Sequence, residues 1–567
     1  MKKLIHSLLG MLVVLSVGYY FYRTAGGQAP ATYYADYLPR QTTATLRLDS
    51  INEIADAFAA SPLGHLFSRQ TMHRILDDLQ AGPEAVQKYD RFHDGVVSLF
   101  TDPSFRTFLG DDMVLALLPL DREKIAREPV DELRRSLVLM ATSAASGSLD
   151  TFARLVMSRS LSTEQVAGRE LTRVELDTGE VVYGYVDGKV VLLALDPRPL
   201  LTCLEVREAT SQEVSLQASP LFGNSRRFWA ESASRKPYLR FHVNVDTIHR
   251  YLAGQEDERF QEAARYLQGL TSGSYIVFAG KGRLLLASRL HWNLDELDES
   301  ARRLYNPEGQ DSISLHLFGP RSLFYFWAPS LGLAQLSGDP LVTGQEEYQK
   351  MDQVLQQELG ASIAELATVF GPQYGLVLED IVNAGFFPLP RMAVFWQVRD
   401  RERAAAIVDR LRGLIGRRAA VQEKQAQVDG KTIYFWPFLP GEATQLALLL
   451  DEDMVLLANS SKDLRNMVGQ DRSGAAPLSF AMDREVREEL LRAEHGAAVL
   501  RPARLAARLR EPLDWVAGVV EASRNISLQG LNQEILALLG GLEIVSATTD
   551  ITPVHLDSRI TVVPVAR

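Results

Sequence analysis

Few residues in this chain have the chemistry for catalysis or ligation. Of its 10 histidines, His242, His249 and His291 are the three in one half that folding would bring together, and three imidazoles suit a divalent metal. Isolated histidines, each satisfied in a core or on a surface, are the plainer alternative. The single Cys203 lies in an apolar stretch with no histidine in its local segment, so it reads as a small buried hydrophobe rather than a nucleophile. Gly269-Leu270-Thr271-Ser272-Gly273 has the outline of a nucleophile elbow with threonine where serine is needed. Gly430-Lys431-Thr432 lacks the upstream glycine of a phosphate-binding loop. No H-E-x-x-H, Cys/His cluster or G-x-G-x-x-G after a strand is present. No catalytic, cofactor or metal residue is assigned, and a non-enzymatic protein is the leading reading.

Charge narrows the partners. A formal net charge of -11 argues against nucleic acid, because phosphate neutralisation needs a concentrated Lys/Arg surface. Asp295-Glu296-Leu297-Asp298-Glu299 is followed by Arg302 and Arg303 at i,i+4 spacing from Asp298 and Glu299, which predicts a solvated helix face rather than a cation site. The arginines from Arg399 to Arg418 interleave with Asp400, Glu402 and Asp409. They predict another exposed face, on which Arg410, Arg412, Arg417 and Arg418 are the ones that would meet lipid headgroups.

Aromatic runs gather in the second half: Phe324-Tyr325-Phe326-Trp327, Phe386-Phe387, Phe395-Trp396 and Tyr434-Phe435-Trp436-Pro437-Phe438. Consecutive aromatics on a strand point to opposite faces, so one core cannot take them all. The uncovered face calls for an inter-domain contact or an apolar groove for a lipid, peptide or partner protein. The expected contact surface involves Trp327 and Trp436.

The elements that must position these residues repeat. Asp187-Gly188-Lys189 feeding Val190 to Ala194 is answered by Asp451-Glu452-Asp453 feeding Met454 to Ala458, each a turn before a buried strand and each followed by a helix. Val166-Ala167-Gly168 is answered by Val428-Asp429-Gly430, Thr43 to Leu48 by Ser314 to Leu317, the break at Ser61 to Gly64 by Pro329 to Gly332, and Leu239-Arg240 by Leu500-Arg501. Helices Thr71 to Leu79 and Gln349 to Leu359 follow the breaks, the second with Met351, Val354, Leu355 and Leu359 on one buried stripe. Helices with Leu149, Phe152 and Val156, and with Ala404, Ile407 and Leu411, correspond further on. The offsets lie at roughly 255 to 270 residues, far longer than the ~20 to 50 of solenoid repeats, so two copies of one domain are expected. Within the first half, Thr45-Leu46-Arg47-Leu48 also resembles Leu239-Arg240-Phe241-His242-Val243, a similarity that any two strand-helix units can share.

The expected class is α+β: an amino-terminal transmembrane helix and then two tandem copies of an antiparallel-sheet-plus-helices domain, divided as 1–25 anchor, 26–37 tether, 38–304 first repeat and 312–567 second repeat. Lys2 and Lys3 precede an apolar run from Leu4 to Tyr22, about 19 residues, long enough as a helix to span a bilayer, with Tyr19 to Tyr22 as an interfacial belt. Ala25-Gly26-Gly27 offers the alternative of a cleaved signal peptide. The uncleaved reading makes the chain a single-pass inner-membrane protein with a cytoplasmic amino terminus and a periplasmic body.

That anchor, the Thr-Ala-Thr-Leu-Arg-Leu strand at Thr43 to Leu48 and the Ser-Pro-Leu-Gly break at Ser61 to Gly64 together resemble an uncharacterised bacterial membrane-anchored envelope family, a domain of unknown function. The resemblance implies export and an anchored α+β body, and it supplies no catalytic residue. Three functions remain open at this point: a binding or scaffold protein for an envelope partner, a carrier or chaperone for lipid or another apolar ligand, and a hydrolase with a site assembled from distant residues.

Overall fold

The computed structural model describes residues 34–565 apart from 50, 60, 95–111, 143–161, 176–180, 233–236, 281–282, 298–301, 303–308, 330–342, 385–386, 420, 439–441 and 469–481. The chain divides into two compact units at Glu296/Leu297. The first holds β1 (Ala44–Asp49), β2 (Asp112–Leu117), β3 (Leu137–Thr142), β4 (Ser162–Val166), β5 (Arg169–Glu175), β6 (Val181–Asp187), β7 (Val190–Ala194), β8 (Leu239–Asn244), β9 (Leu270–Gly280) and β10 (Arg283–Trp292). They pair antiparallel in the order β4-β5-β6-β7-β3-β2-β1-β8-β9-β10.

The second unit holds β11 (Phe324–Ala328), β12 (Phe370–Ala384), β13 (Phe387–Val398), β14 (Lys424–Val428), β15 (Lys431–Trp436), β16 (Leu446–Leu450), β17 (Met454–Ala458), β18 (Ala497–Leu500), β19 (Leu542–Ile551) and β20 (His555–Pro564). Their antiparallel order, β14-β15-β16-β17-β13-β12-β11-β18-β19-β20, is the first unit's order element for element. Leu192 on β7 and Leu456 on β17 occupy equivalent, buried positions. Local chemistry sets the shared hairpins. Ala167-Gly168 and Asp429-Gly430 each place two successive residues at positive φ, the geometry that lets a two-residue turn follow the strand twist between β4 and β5 and between β14 and β15.

In the first unit Val114, Met140, Leu192 and Ile276 on the sheet pack against Tyr34, Leu38, Phe222 and Trp229. The last two come from α1 (Pro220–Ser232), which lies over β8 and β9. The second unit has a core on each sheet face. Tyr325, Trp327, Val377, Phe395 and Leu456 fill one; Trp436, Leu448 and Val455 meet Ala404 and Val408 of α2 (Arg401–Ala419) on the other.

Several expectations are corrected here. The expected membrane anchor, residues 1–25, lies outside the described residues, and among the described residues no helix is long and apolar enough to cross a membrane. The described strands and helices form two antiparallel α+β units. The segment expected as tether ends in a 3-10 turn, Tyr34–Asp36, with Tyr34 and Ala35 buried. Leu315–Leu317 is likewise a 3-10 turn rather than a strand, and β11 takes the place equivalent to β1. Met351 and Val354 are 52% and 54% exposed: their helix turns Asp352, Leu355 and Leu359 inward, where Asp352 accepts a hydrogen bond from the Ile363 amide at 2.6 Å. The break at 330–332 and the helix around Leu149, Phe152 and Val156 lie outside the described residues.

Gly375 on β12 tests the packing of the second unit. A methyl group there would meet the Phe326 carbonyl oxygen at 2.1 Å and the Phe395 ring at 2.5 Å, whereas one at Gly416, inside α2, would meet nothing within 4 Å. In urea unfolding, Gly375→Ala is expected to lose about 1–3 kcal/mol to overpacking. Gly416→Ala should instead gain roughly 0.5–1 kcal/mol from helix propensity.

Candidate functional site

The first unit carries a cavity of about 360 Å³, open on one side, at the low end of the ~300 to 1,000 Å³ usual for small-molecule sites. Leu38, Val114, Leu216, Phe222, Trp229 and Ile276 make its floor and walls apolar. Arg47, Arg226 and Arg240 bring three guanidinium groups to the same space. Arg226 and Ala230 of α1 are exposed and mark the mouth.

Strand pairing generates the charged wall. Arg47 and Arg240 face each other across β1 and β8, and Asp49 and Asp112 face each other across β1 and β2. Like charges directly opposite repel, but the two pairs are offset by two residues, and each cation reaches an anion. Arg47 Nε lies 2.8 Å from Asp49 and its Nη2 2.9 Å from Asp112. Arg240 grips Asp49 with two hydrogen bonds of 2.9 and 2.7 Å. The Tyr34 hydroxyl donates to Asp112 at 3.1 Å and lies 2.7 Å from the Thr142 hydroxyl. Burial, reinforced by the Asp112 charge, raises the Tyr34 pKa well above the usual tyrosine range, so this ring is a neutral donor. Arg47 also lies 5.4 Å from the Tyr34 ring centroid and Arg240 5.9 Å from that of Trp229. Arg226 has no carboxylate partner among the described residues.

Beneath this wall, Ser225 Oγ lies 2.7 Å from His242 Nδ1 and 2.6 Å from Ser274 Oγ. The contact resembles a nucleophile and its base, but Ser225 and Ser274 are 0% exposed and His242 1%. Burial pushes the His242 imidazole down to about 4. A neutral imidazole sealed under α1 holds the sheet to the helix and reaches no substrate.

The residues singled out from the sequence fall elsewhere. His249 lies on the helix Val245–Ala253 and His291 on β10, and among the described residues no three His, Cys, Asp or Glu side chains converge as a metal site. Cys203 is buried, which pushes its thiol up to about 12. Ser272 lies within β9, not at a strand-to-helix turn, and Lys431 follows a hairpin turn and pairs with Asp451 at 2.6 Å. Arg410 donates to the Leu359 carbonyl, Arg412 grips Glu423 at 2.9 and 2.7 Å, and Arg418 pairs with Glu358; these cations are spent within the unit. Trp327 and Trp436 are 0% exposed and belong to two different cores of the second unit. Neither offers a contact surface: Trp436 lies under α2, and Trp327 is buried in the core on the opposite sheet face.

Sequence reading missed the site. Its one trace was the similarity between Thr45-Leu46-Arg47-Leu48 and Leu239-Arg240-Phe241-His242-Val243, the two strands that pair side by side.

No family model and no curated protein matches the chain. Among solved structures the chain is similar to TP0453: to its crystal form I with a TM-score of 0.22 at 8% identity, over 47% of this chain and 80% of that one. Crystal form III gives 0.22 at 11% over 48% and 84%, and form IV 0.20 at 9% over 45% and 79%. Likeness at this distance leaves fold and function to be argued from the chain itself.

The buried imidazole sets a pH dependence. His242 has a folded-state value of about 4 against a reference of 6.5, so between those values the unfolded chain binds the proton and the folded chain does not. Stability is full above about pH 6.5 and falls as the pH drops toward 4, by on the order of 3 kcal/mol. Urea unfolding of the wild type and His242→Gln across pH 4 to 7.5 should show that slope flattened in the variant.

Proposed function

We propose that the first unit is a non-catalytic binding module for a small amphiphile with an anionic head. The observation that carries this is one cavity with apolar walls and a guanidinium rim. An alkyl or aryl tail against Leu38, Val114, Leu216, Phe222 and Ile276 leaves water, at about 25 cal/mol per Å² of apolar surface removed. Its head then lies near Arg226, the rim cation with no carboxylate partner among the described residues. Arg47 and Arg240 are already held by Asp49 and Asp112 and add hydrogen-bond donors more than unbalanced charge.

Of the functions open from the sequence, a carrier of apolar ligands is the one with a specific feature behind it. Scaffolding has no comparable observation, and the one Ser-His contact described above is sealed, which favours a binding role over hydrolysis.

The test uses the full chain and an undecanoic acid carrying a dansyl group, compared with the corresponding neutral alcohol. The acid is expected to bind with saturable fluorescence enhancement and the alcohol about tenfold more weakly. Arg226→Ala should weaken the acid by about 5- to 10-fold and leave the alcohol unchanged, while Ala230→Trp at the mouth should weaken both. Equal binding of acid and alcohol, or acid binding that survives both substitutions, would overturn the reading.

A further inference from the structure

The two units can be set side by side residue for residue, because equivalent hydrogen bonds fix the register. The Thr43 amide donates to Leu117 and its carbonyl accepts from Asn244; the Leu323 amide donates to Leu378 and the Leu323 carbonyl accepts from Arg501. Asn244 and Arg501 are in turn the amino-terminal caps of the helices that follow β8 and β18. Ala44 therefore corresponds to Phe324, and the same register carries Leu192 onto Leu456. It also shows that Arg240 corresponds to Ala497, and not to Arg501 as the sequence pairing had it.

In this register every charge of the wall is replaced. Arg47 becomes Trp327, Arg240 becomes Ala497, Asp49 becomes Pro329 and Asp112 becomes Gln373. The exchange is concerted in size as well as charge. Arg47 lies between Val114 and Arg240 on its neighbouring strands, whereas Trp327 lies between Gly375 and Ala497, the two smallest side chains available. Small cross-strand neighbours are what a large indole needs in order to lie flat in a packed layer. Trp327 is 0% exposed and its indole nitrogen has no hydrogen-bond partner among the described residues, so the fit between Gly375 and Ala497 is what places it.

We infer that the second unit is a closed version of the first unit's site, with the Trp327 side chain as its permanent occupant. The chain then binds one anionic amphiphile, in the first unit, and truncating Trp327 opens a second, uncharged site for a flat apolar molecule. This rests on the binding role proposed above for the first unit; the indole measurement below stands apart from it.

The experiment has two arms on the full chain. In the first, Trp327→Ala melts below the wild type, and millimolar indole raises its melting temperature by about 3 °C while leaving the wild type unmoved, as expected when a void of matching shape takes up a ligand. Trp327→Leu, with a smaller void, serves if the alanine variant does not fold. In the second, native mass spectrometry of the wild type with the dansyl acid should show one bound molecule. Indole without effect on either variant, or two bound acids of which one survives Ala230→Trp, would overturn the closed-site assignment. Indole rescue with no acid bound would uphold the closed site and sink the amphiphile reading alone.

Discussion

Asp49 is the group on which the first unit's site depends. It is 3% exposed and lies between two guanidinium groups that strand pairing has placed directly opposite each other. Without it Arg240 would face Arg47 across β1 and β8 with no carboxylate partner among the described residues, while Arg47 would keep only Asp112, leaving a partly buried guanidinium uncompensated. With it, the four charges alternate, and the arginines are fixed at the edge of an apolar floor. A cavity wall that is charged and already hydrogen-bonded does not collapse onto the apolar side chains facing it. The anion that stabilises the sheet is thus also what keeps the cavity open.

One strand order therefore supports two packing solutions. In the first unit the central strand carries threonine, arginine and aspartate to the face that α1 covers, and the space between them is partly empty. In the second, the equivalent strand carries Tyr325 and Trp327 to that face, and the indole fills the space between Gly375 and Ala497. Changing a single residue would not convert one to the other. An indole at position 47 would meet Val114 and Arg240, and an arginine at position 327 would have neither Asp49 nor Asp112 to pair with. The shared hairpins and turns lie outside this exchange, which explains how the topology persists while the centre differs.

The parts of the fold visible in the sequence were those that local chemistry dictates. The turn before Val190 to Ala194, the paired-residue turns at Ala167-Gly168 and Asp429-Gly430, and the apolar strands after them are legible because each depends on neighbours in the chain. The site was not, because it is assembled from Tyr34, Arg47, Asp112, α1 and Arg240, and nothing in the sequence says that β1 pairs with both β2 and β8. Arginines flanked by leucines in two separate strands were the available hint, and only pairing gives them meaning. The aromatic runs misled for a related reason. A sheet with a core on each face accommodates Phe435 on one side and Trp436 on the other, and the helix that covers the second face, α2, reads from its sequence as a charged, exposed element.

Hydrogen exchange of the full chain with and without saturating dodecanoate bears most directly on the claim that the first unit's cavity is a binding site. The account predicts slowed exchange in 34–38, β1, α1 and β8, with β11 and β18 of the second unit unchanged. Protection centred on the second unit, or none anywhere at saturating dodecanoate, would contradict it.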